Sequence, residues 1–476
     1  MNESLTKGIV PDCYKHALIK PLLKKSSLNE NDFNNFRPVS NLAFLSKLLE
    51  KLVLRQLSKH MKHNELEEIY QSAYKAFHST ETALLKVTSD VLEQLDNKKV
   101  CFLILLDLSA AFDTIDHGIL LKRLRVTFGL SGTVLEWFQS YLSGRFQSVV
   151  VGGEKSTSSP LTLGVPQGSV LGPVLFTIYT QPLAEILTKH GMKYHLYADD
   201  TQIYVSGTRD EIPEMSYRIS CCVTDVKAWM TCNKLKLNDD KTELLLIDKD
   251  GYASHDTAVD INGHFINCTN KVKNLGVILD REMSMIPAVS DVVKKLYVQV
   301  RKIGSIRCFL NEKIAKTLVT SLVLSRLDYC NSLLAGLPDR ALNRLQIAQN
   351  NAARMVTRTK RLEHITPVLK ELHWLPVKYR VMFKICMICF KCLNNIAPAY
   401  LTNDLNIYTP SRALRSSMDK TKLDQKRFHY KYFGERSFMF LGPKLWNQLP
   451  IDIREASTLI SFKSKLKSHL FRQAFT

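Results

Sequence analysis

The chain has 476 residues, of which 45% are hydrophobic and 9% aromatic, so it holds enough apolar material for several packed domains. Its 16 prolines and 19 glycines are too few for a collagen-like or low-complexity chain. Eleven cysteines without regular spacing predict reduced thiols rather than a disulfide framework. No apolar run reaches the roughly 20 residues that span a bilayer, and no signal-peptide pattern is visible. We therefore expect an intracellular protein with no membrane association, in the nucleus or the cytoplasm.

Charge is distributed unevenly along the chain. The 65 Lys and Arg residues exceed the 45 Asp and Glu residues, which gives a formal net charge of +20. Residues 1–300 hold 34 basic and 34 acidic residues, whereas residues 301–476 hold 31 and 11, so the excess lies in the last third. This asymmetry predicts a polyanionic partner for the C-terminal region, and nucleic acid is the commonest polyanion in a cell. The alternative is a solvated basic face without a special role.

The N-terminal part of the chain shows helical periodicity followed by a strand. Residues 40–61 and 81–95 have the apolar spacing of amphipathic helices, and Ser79 is a candidate cap for the second. The predicted apolar stripe of the first helix comprises Leu42, Leu45, Leu48, Leu49, Leu52 and Val53. Residues 100–106 (VCFLILL) form a continuous apolar run of strand length, which predicts a strand buried on both faces and ending at Asp107.

The middle of the chain mixes strands with helices, and the remainder is mainly helical. Gly152 and Gly153 mark a hairpin turn between two short strands. The further elements that we predict, in chain order, are a helix at 116–128, strands at 147–151 and 158–163, a long helix after 168, strands at 193–197 and 201–205, a helix at 211–232, strands at 244–247 and 273–279, and helices over 286–400 with breaks at 336–338 and 375–376.

Three carboxylates stand at the ends of these apolar strands. Asp107 follows the run 100–106, and Asp199 and Asp200 lie in a tight turn between two strands. If the strands are neighbours in one sheet, the carboxylates converge into an oxygen cage that suits Mg²⁺. Two such ions support in-line phosphoryl transfer, which is the chemistry of polymerases. Taken singly, each Asp also fits a turn or a helix cap.

Seven blocks in the same order resemble those of reverse transcriptases, and the match is close to non-LTR (LINE-type) retrotransposons of the Jockey, CR1 and Rex kind. The blocks are NDFNNFRPVSNL (31–42), QSAYKAFHSTETAL (71–84), LDLSAAFDTIDH (106–117), GVPQGSVLGPVLFTIY (164–179), YADD (197–200), LKLNDDKTELLLI (235–247) and KNLGVILD (273–280). The third, fourth and fifth look like motifs A, B and C of that family. Blocks after residue 323, such as LSRLDYCNSLLAGLP and LHWLPV, resemble the region that follows the polymerase in these elements.

The resemblance implies an α+β right-hand polymerase fold with an antiparallel palm sheet, followed by a mostly helical basic C-terminal region. The domains that we predict are N-terminal fingers at 1–100, a palm with a finger insertion at 101–285, a helical thumb at 286–400 and a basic C-terminal region at 401–476. Full-length elements of this type usually carry an endonuclease before the polymerase. The chain begins almost at the first finger block, so we expect no nicking activity from these residues.

The resemblance also implies a metal site. Asp107 and Asp199 would ligate two Mg²⁺ ions, for which Mn²⁺ can substitute. The Leu108 carbonyl would add a ligand, and Asp200 would support the site. Phe112 matches the bulky gate that rejects a ribose 2′-hydroxyl, which gives a physical reason to prefer deoxynucleotides. Its alternative interpretation is a core phenylalanine.

Other matched residues would contact the nucleotide. Gln167 and Gly168 correspond to the motif B pair that meets the incoming nucleotide and the template, where glycine permits close backbone approach. Lys241 corresponds to the lysine thought to protonate the leaving pyrophosphate, although a surface lysine is a competing interpretation. Arg37 and Lys75 are candidates for holding the triphosphate. The family usually has Arg at the Lys75 position, so this sequence departs from the pattern there.

Some patterns have a structural and a functional interpretation. The C-x-x-C-x-x-C pattern of Cys386, Cys389 and Cys392 lies in an apolar helical run without a matching His or Cys pair, which favours packing over metal binding. Asp113 and Asp116 fit a helix start better than a metal site. A basic and aromatic cluster could grip RNA or DNA, or could be an exposed surface. Its members are Lys420, Lys422, Lys426, Arg427, Phe428, Tyr430, Tyr432 and Phe433.

The activity that we predict is RNA-directed DNA synthesis from a 3′-hydroxyl primer. The expected partners are an RNA template, a DNA primer or target and dNTPs, and no protein partner is indicated. An RNA-dependent RNA polymerase shares the palm geometry, but YADD and Phe112 argue against it. An alternative of another class is a catalytically silent, retroelement-derived protein that binds nucleic acid through its basic C-terminal third.

Overall fold

The computed structural model describes residues 1–109, 112–249, 258–261, 263–409 and 421–476. The helices within these ranges are α1 Asn2–Lys7, α2 Phe44–His63, α3 Thr80–Asp96, α4 His117–Val126, α5 Gly132–Leu142, α6 Gly172–Thr180, α7 Leu183–Lys189, α8 Ile212–Cys232, α9 Ile286–Ser305, α10 Glu312–Val319, α11 Ser325–Asp328, α12 Asp339–Thr357, α13 Ile365–Glu371, α14 Val377–Leu393, α15 Ala399–Thr402, α16 Phe438–Asn447, α17 Ile451–Arg454 and α18 Leu459–Phe475. None of them is both long and apolar enough to cross a bilayer.

Most strands belong to two sheets, and the others form two-stranded pairs. The strands are β1 His16–Leu23, β2 Phe36–Asn41, β3 Val100–Leu106, β4 Leu108–Ser109, β5 Arg145–Val151, β6 Glu154–Lys155, β7 Ser159–Leu161, β8 Lys193–Tyr197, β9 Asp200–Gly207, β10 Lys236–Leu237, β11 Glu243–Ile247, β12 Ala258–Ile261, β13 His264–Asn267, β14 Lys271–Asn274 and β15 Val277–Asp280. Ala110 and Ala111 of the third sequence block and Lys420 of the basic cluster lie outside the described residues.

The central sheet is antiparallel and has the strand order β11-β3-β9-β8. The side chains of β3 alternate between two cores. Cys101 and Leu103 pack with α3 and the C-terminal helices, whereas Phe102 and Ile104 pack with α4, α6 and α8. Both faces of β3 are therefore covered, which confirms the prediction made from its continuous apolar run.

The second sheet combines strands that are far apart in sequence. β1 pairs with β2 in antiparallel and with β5 in parallel orientation, and β6 and β7 also pair with β5. The turn between β5 and β6 contains Gly152 and Gly153, both with positive φ, as the glycine pair predicts. β5 begins at Arg145, well after β3 in the chain, and pairs with β1. The chain therefore returns to its N-terminal strands after it has formed β3.

Helix α2 differs from its sequence prediction at its start and in its buried face. It begins at Phe44, because the residues just before it belong to β2 and a connecting turn. The residues that it buries are Ser46, Leu49, Glu50, Val53, Leu57 and Met61. Leu45, Leu48 and Leu52 are exposed, so this part of the predicted core stripe was wrong. The buried face of α2 is rotated relative to the predicted stripe, because Leu49 and Val53 pack in the core that also contains α4, α6 and α8.

Two further predictions are corrected by local backbone geometry. The segment 273–279 is a hairpin, in which Leu275 (φ 42°) and Gly276 (φ 85°) form the turn between β14 and β15. Two successive positive φ values are typical of the tightest hairpin turns.

The long helix expected after residue 168 is two helices, α6 and α7, and Pro182 lies at the start of the second. Proline lacks the N–H that a continuous helix needs.

The C-terminal helices pack on one another and on α3. α14 contacts both α16 and α18, and their apolar side chains belong to the same core as α3. Cys386, Cys389 and Cys392 are buried in this core, and burial raises the pKa of the Cys386 thiol to about 12. The packing interpretation of the cysteine pattern therefore matches their positions.

One buried carboxylate joins α3 to the segment before α16. Asp96, 2% exposed, accepts hydrogen bonds from the backbone N–H groups of His429 (2.8 Å), Tyr430 (2.7 Å) and Gly434 (3.3 Å). Irregular backbone needs such partners, because an unpaired buried N–H is costly. Asp96 thus holds the described part of the basic and aromatic cluster against α3.

Removing this carboxylate should destabilise the protein. We expect Asp96→Ala to lower the free energy of unfolding by about 3 kcal/mol, because each abandoned buried donor costs ~1–3 kcal/mol. Thermal denaturation of the full chain measures the effect. The matched control is Asp424→Ala, since Asp424 is exposed on the same segment. Equal melting temperatures for the two variants would contradict the role given to Asp96.

Candidate active site

The strand pairing brings the predicted carboxylates together. Leu106, the last residue of β3, lies opposite Thr201 of β9. Asp107 comes directly after Leu106, and Asp200 directly before Thr201. Because the pair is antiparallel, Asp107 and Asp200 lie side by side at one end of the central sheet. Asp199 belongs to the turn at the same end.

The turn between β8 and β9 is strained and braced. Tyr197 pairs with Asp200, and Ala198 between them has φ 57°, a left-handed value that is uncommon for a residue with a side chain. Gln71 accepts hydrogen bonds through Oε1 from the N–H of Ala198 (3.1 Å) and the N–H of Ala73 (2.9 Å). Gln71 is 3% exposed, so both bonds are shielded from water. It is therefore a positioning residue for the turn.

The segment that supplies Gln71 forms an added edge of the central sheet. Leu196 of β8 donates its N–H to the Tyr70 carbonyl and accepts from the Ser72 N–H, both at 2.9 Å. The Ser72 hydroxyl lies 2.8 Å from His195 Nε2 and 2.8 Å from the Tyr400 hydroxyl. Burial lowers the pKa of His195 to about 3, so this histidine is neutral at physiological pH. The turn is thus connected to α15 through buried polar groups.

Electrostatic repulsion is built into the site. Burial raises the pKa of Asp199, and the neighbouring Asp107 raises it further. Burial, then Asp199 and Asp107, raise the pKa of Asp200 to about 6. Lys241 opposes both shifts, and Arg37 opposes that of Asp199. The Lys241 ammonium lies 2.8 Å from Asp107 Oδ2 and forms an ion pair with it.

The donor set fits a hard divalent cation. Carboxylate oxygens are the ligands that Mg²⁺ prefers, and a cation relieves the repulsion that raises the pKa values of Asp199 and Asp200. In the described ranges, no three His, Cys, Asp or Glu side chains form a ready-made cage. The positive charge beside Asp107 is instead the ammonium of Lys241.

The loop before α6 is pressed against two other segments. Gly168 has φ 121°, and a Cβ added there would lie 2.5 Å from the Ser40 carbonyl oxygen of β2. The Ser40 N–H in turn donates to the Gln167 carbonyl oxygen at 2.7 Å. Gln167 Nε2 donates to Asp113 Oδ2 at 2.9 Å, so the side chain reaches the segment that follows Asp107. The predicted pair is therefore held between β2 and that segment.

A buried glutamate that sequence analysis missed caps this loop. Glu50 of α2, 1% exposed, accepts through Oε2 from the N–H groups of Val170 (2.7 Å) and Leu171 (3.0 Å). The Tyr141 hydroxyl donates to the same oxygen at 3.3 Å. The available signal was a lone acidic residue beside Leu49 on the buried face of the helix.

Phe112 and Asp116 follow the carboxylate strand. The ring of Phe112 is half-buried, and its centroid lies 4.9 Å from that of Phe176 in α6. Asp116 accepts a hydrogen bond from the Ile119 N–H and caps α4, as predicted. Leu108 is buried and lies opposite Leu237 in the β4–β10 pair.

The two candidate triphosphate contacts are placed differently. Arg37 lies on β2, and its charge opposes the rise in the pKa of Asp199 that burial causes. The Lys75 ammonium is mostly buried and donates to the Glu68 carbonyl oxygen at 2.5 Å, with Glu67 Oε2 at 3.7 Å. The structure therefore directs Lys75 toward these glutamates.

Asp107 and Asp200 line a cavity of about 320 Å³. Its wall includes Lys241 and the start of the β14–β15 hairpin. Asn274 of that hairpin donates through Nδ2 to Gln202 Oε1 of β9 at 2.8 Å. The hairpin is thereby tied to the strand that carries Asp200.

A four-stranded antiparallel sheet that presents carboxylates beside a cavity, joined to a second sheet and to C-terminal helices, is the palm of a right-hand polymerase. Residues 23–279 match the family described as "Reverse transcriptase (RNA-dependent DNA polymerase)". The match covers more than half of the chain, and the chain belongs to this family. The resemblance found in the sequence motifs is confirmed.

Curated relatives and solved structures show further similarity. The chain is 26% identical over 372 residues to the "Probable RNA-directed DNA polymerase from transposon BS" of Drosophila melanogaster, covering 75% of this chain and 40% of that protein. It is 29% identical over 289 residues to the "RNA-directed DNA polymerase from mobile element jockey" of Drosophila funebris, covering 60% and 31%. These relatives carry the names expected for the non-LTR kind. An apo telomerase structure from Candida tropicalis is 11% identical with a TM-score of 0.41, covering 75% of this chain and 66% of that chain.

The close approach of Gly168 to β2 gives a stability test. We expect Gly168→Ala to lower the free energy of unfolding by about 3 kcal/mol, because a left-handed φ costs ~1–2 kcal/mol and overpacking ~1–3 kcal/mol. Thermal denaturation measures it. Gly153→Ala is the control, since Gly153 also has positive φ but no atom lies within 4 Å of its added Cβ. A loss at Gly168 no larger than at Gly153 would refute the close packing.

Proposed function

We propose that this chain is an RNA-directed DNA polymerase that extends a 3′-hydroxyl primer on an RNA template with dNTPs. The observation that carries the proposal is the convergence of Asp107, Asp199 and Asp200 at one end of the central sheet. The chain spans 40% or less of the two relatives described above, so its own activity, substrates and partners are inferred from the site.

Divalent metal is part of this proposal. Asp107, Asp199 and the Leu108 carbonyl would hold two Mg²⁺ ions, or Mn²⁺ in their place, with Asp200 supporting them. When bound, the ions would lower the pKa of the primer hydroxyl and neutralise phosphate charge. The raised pKa values of Asp199 and Asp200 support a cation at this position.

Residues of the chain would bind and orient the nucleotide. Lys241, already beside Asp107, is a flexible ammonium that can donate a proton to the leaving pyrophosphate. Arg37 would hold a phosphate near Asp199, because its charge already acts on that carboxylate. Lys75 would have to leave Glu67 and Glu68 to do the same.

The loop and the aromatic gate would select the substrate. Gln167 and Gly168 would meet the base pair being formed, and the glycine leaves the backbone without a side chain beside β2. Phe112 would block a ribose 2′-hydroxyl with its ring, which Phe176 supports from behind.

The domain limits follow from the same proposal. The fingers at 1–100 would form one unit with the insertion that supplies β5 to β7, since these strands share a sheet with β1 and β2. The palm at 101–285 would carry the carboxylates. The thumb at 286–400 would grip the primer and template. The region 401–476 would add positive charge for nucleic acid, since residues 301–476 hold 31 basic and 11 acidic residues.

Primer extension tests the activity. The full chain is incubated with a DNA primer on an RNA template, dNTPs and Mg²⁺. We expect Asp199→Asn to reduce extension by about a thousandfold while RNA binding is retained, because one carboxylate of the metal set is lost. Asp210→Asn, an exposed position after β9, is the control of equal charge and should extend normally.

The outcomes separate the competing functions. Extension by Asp199→Asn at the wild-type rate would overturn the catalytic assignment. Extension of a matched primer with NTPs alone would indicate an RNA polymerase. No extension by the wild type, with salt-dependent RNA binding retained, would favour the silent nucleic-acid-binding protein.

The aromatic gate generates a separate prediction. Phe112→Ala should lower the preference for dNTPs over NTPs, as the ratio of kcat/KM values, by about tenfold or more, because the ring no longer meets the 2′-hydroxyl. Single-nucleotide incorporation measures both substrates. Phe112→Tyr retains the bulk and should discriminate nearly as well as the wild type. If Phe112→Ala preferred dNTPs over NTPs as strongly as the wild type does, the gate assignment would be wrong and Phe112 would be a core residue only.

A further inference from the structure

A second cavity, of about 640 Å³, lies where the start of α12 faces the segment before α16. We name it the α12 cleft, and its defining residues are Lys249, Arg340, Arg344, Tyr432, Phe433 and Arg436. It shares no lining residue with the cavity beside Asp107. None of the residues proposed to act in the chemical step lines it, and an assignment to it rests on the nucleic-acid binding proposed for the regions 286–400 and 401–476.

The α12 cleft is strongly basic. Four of its six defining residues are cationic, and Glu282 is the one acidic residue in its lining. Arg340 and Arg344 are exposed and four residues apart on α12, so they point from the same helical face. Within the part of the chain that the structure describes, neither forms an ion pair. Their charges are available to an anionic ligand.

A buried guanidinium is among the residues that line the cleft. Arg436 is 9% exposed and donates through Nη1 to the carbonyl oxygens of Met283 (2.8 Å) and Tyr432 (3.2 Å), while its buried Nε has no hydrogen-bond partner. Burial lowers the pKa of Arg436 to about 10, although Asp280 opposes the shift. Gly336 (φ 73°) lets the preceding turn touch the arginine stem, since an added Cβ would lie 2.8 Å from Arg436 Cγ. The positive charge of Arg436 lines the cleft and favours an anionic ligand there.

Two aromatic residues also line the cleft. The Tyr432 side chain is 64% exposed, and the half-buried Phe433 follows it in the lining. Lys249 Nζ lies 3.5 Å from the ring centroid of Tyr430, so a cation also stands over the neighbouring aromatic. Exposed aromatic rings beside arginines are the arrangement on which bases stack while phosphates are neutralised.

We propose that the α12 cleft binds single-stranded nucleic acid, with Arg340, Arg344 and Arg436 on its phosphates and Tyr432 stacked on a base. A volume of about 640 Å³ is that of a small-molecule pocket and is large enough for one or two nucleotides. The exposed ring favours a nucleic acid over an acidic peptide, because a peptide carboxylate needs no π-face. RNA and DNA share this chemistry.

Fluorescence anisotropy with labelled 12-nucleotide oligo(U) RNA and oligo(dT) DNA tests the proposal on the full chain. A blunt primer–template hairpin in unlabelled excess occupies the catalytic cavity, and no dNTPs are present. The readout is therefore independent of polymerase activity, so failure of one proposal does not decide the other. Affinity is measured over a range of salt concentrations.

We expect the double variant Arg340→Gln, Arg344→Gln to bind at least tenfold more weakly. Its slope of log affinity against log salt should fall by about 1.4, since a phosphate contact on a single strand contributes ~0.7. Tyr432→Ala should lose roughly tenfold, because stacking is worth ~1–3 kcal/mol per base, whereas Tyr432→Phe should bind like the wild type. The charge control is Arg55→Gln, Lys59→Gln, which has the same spacing on the exposed side of α2.

Three results would overturn the proposal. The first is wild-type affinity in both the double arginine variant and Tyr432→Ala. The second is an equal loss in the α2 control, which would mean that only overall charge matters. The third is displacement of the oligonucleotide by polyglutamate of equal charge with no effect of Tyr432→Ala, which would indicate an acidic protein ligand. If the double variant melts below the wild type, single Arg344→Gln repeats the test.

Discussion

Three carboxylates that repel one another are held together at one end of an antiparallel sheet, and the rest of the structure depends on that constraint. The register of β3 against β9 places Asp107 beside Asp200, and the short turn adds Asp199. Repulsion and burial together raise the pKa of Asp200 to about 6, so this arrangement costs free energy. Apolar packing on both faces of β3 supplies the compensating stabilisation, and Lys241 supplies a local positive charge.

Buried polar side chains hold the irregular segments around this site. Gln71 accepts from an N–H of the strained turn, and Glu50 accepts from the N–H groups before α6. These segments cannot pair within a helix or sheet, so their donors need side-chain partners. In both cases a buried side-chain acceptor fixes the backbone of a loop or turn. Site geometry is thereby set by residues that carry no proposed chemical role.

The C-terminal helices are part of the same packing as the central sheet. One core extends from α3 and β3 to α18, and Asp96 binds three backbone donors of the segment before α16. Tyr400 reaches Ser72 and through it His195, five residues before Asp200. The α12 cleft lies between elements of this shared body, so a strand bound there would contact residues packed against the palm. Its lining draws on the segment between β15 and α9, on the start of α12 and on the segment near Tyr432, which no local sequence pattern joins.

The sequence by itself determined the elements with strong local signals and the family. The apolar run of β3, the Ser79 capping box of α3 and the ordered motif blocks were all readable because each is contained in a short segment. Tertiary structure alone decided which face of α2 is buried, why Gly168 must lack a side chain, and that Lys241 meets Asp107 while Lys75 is directed to Glu67. These features depend on contacts between residues far apart in sequence, whose energies no local periodicity encodes.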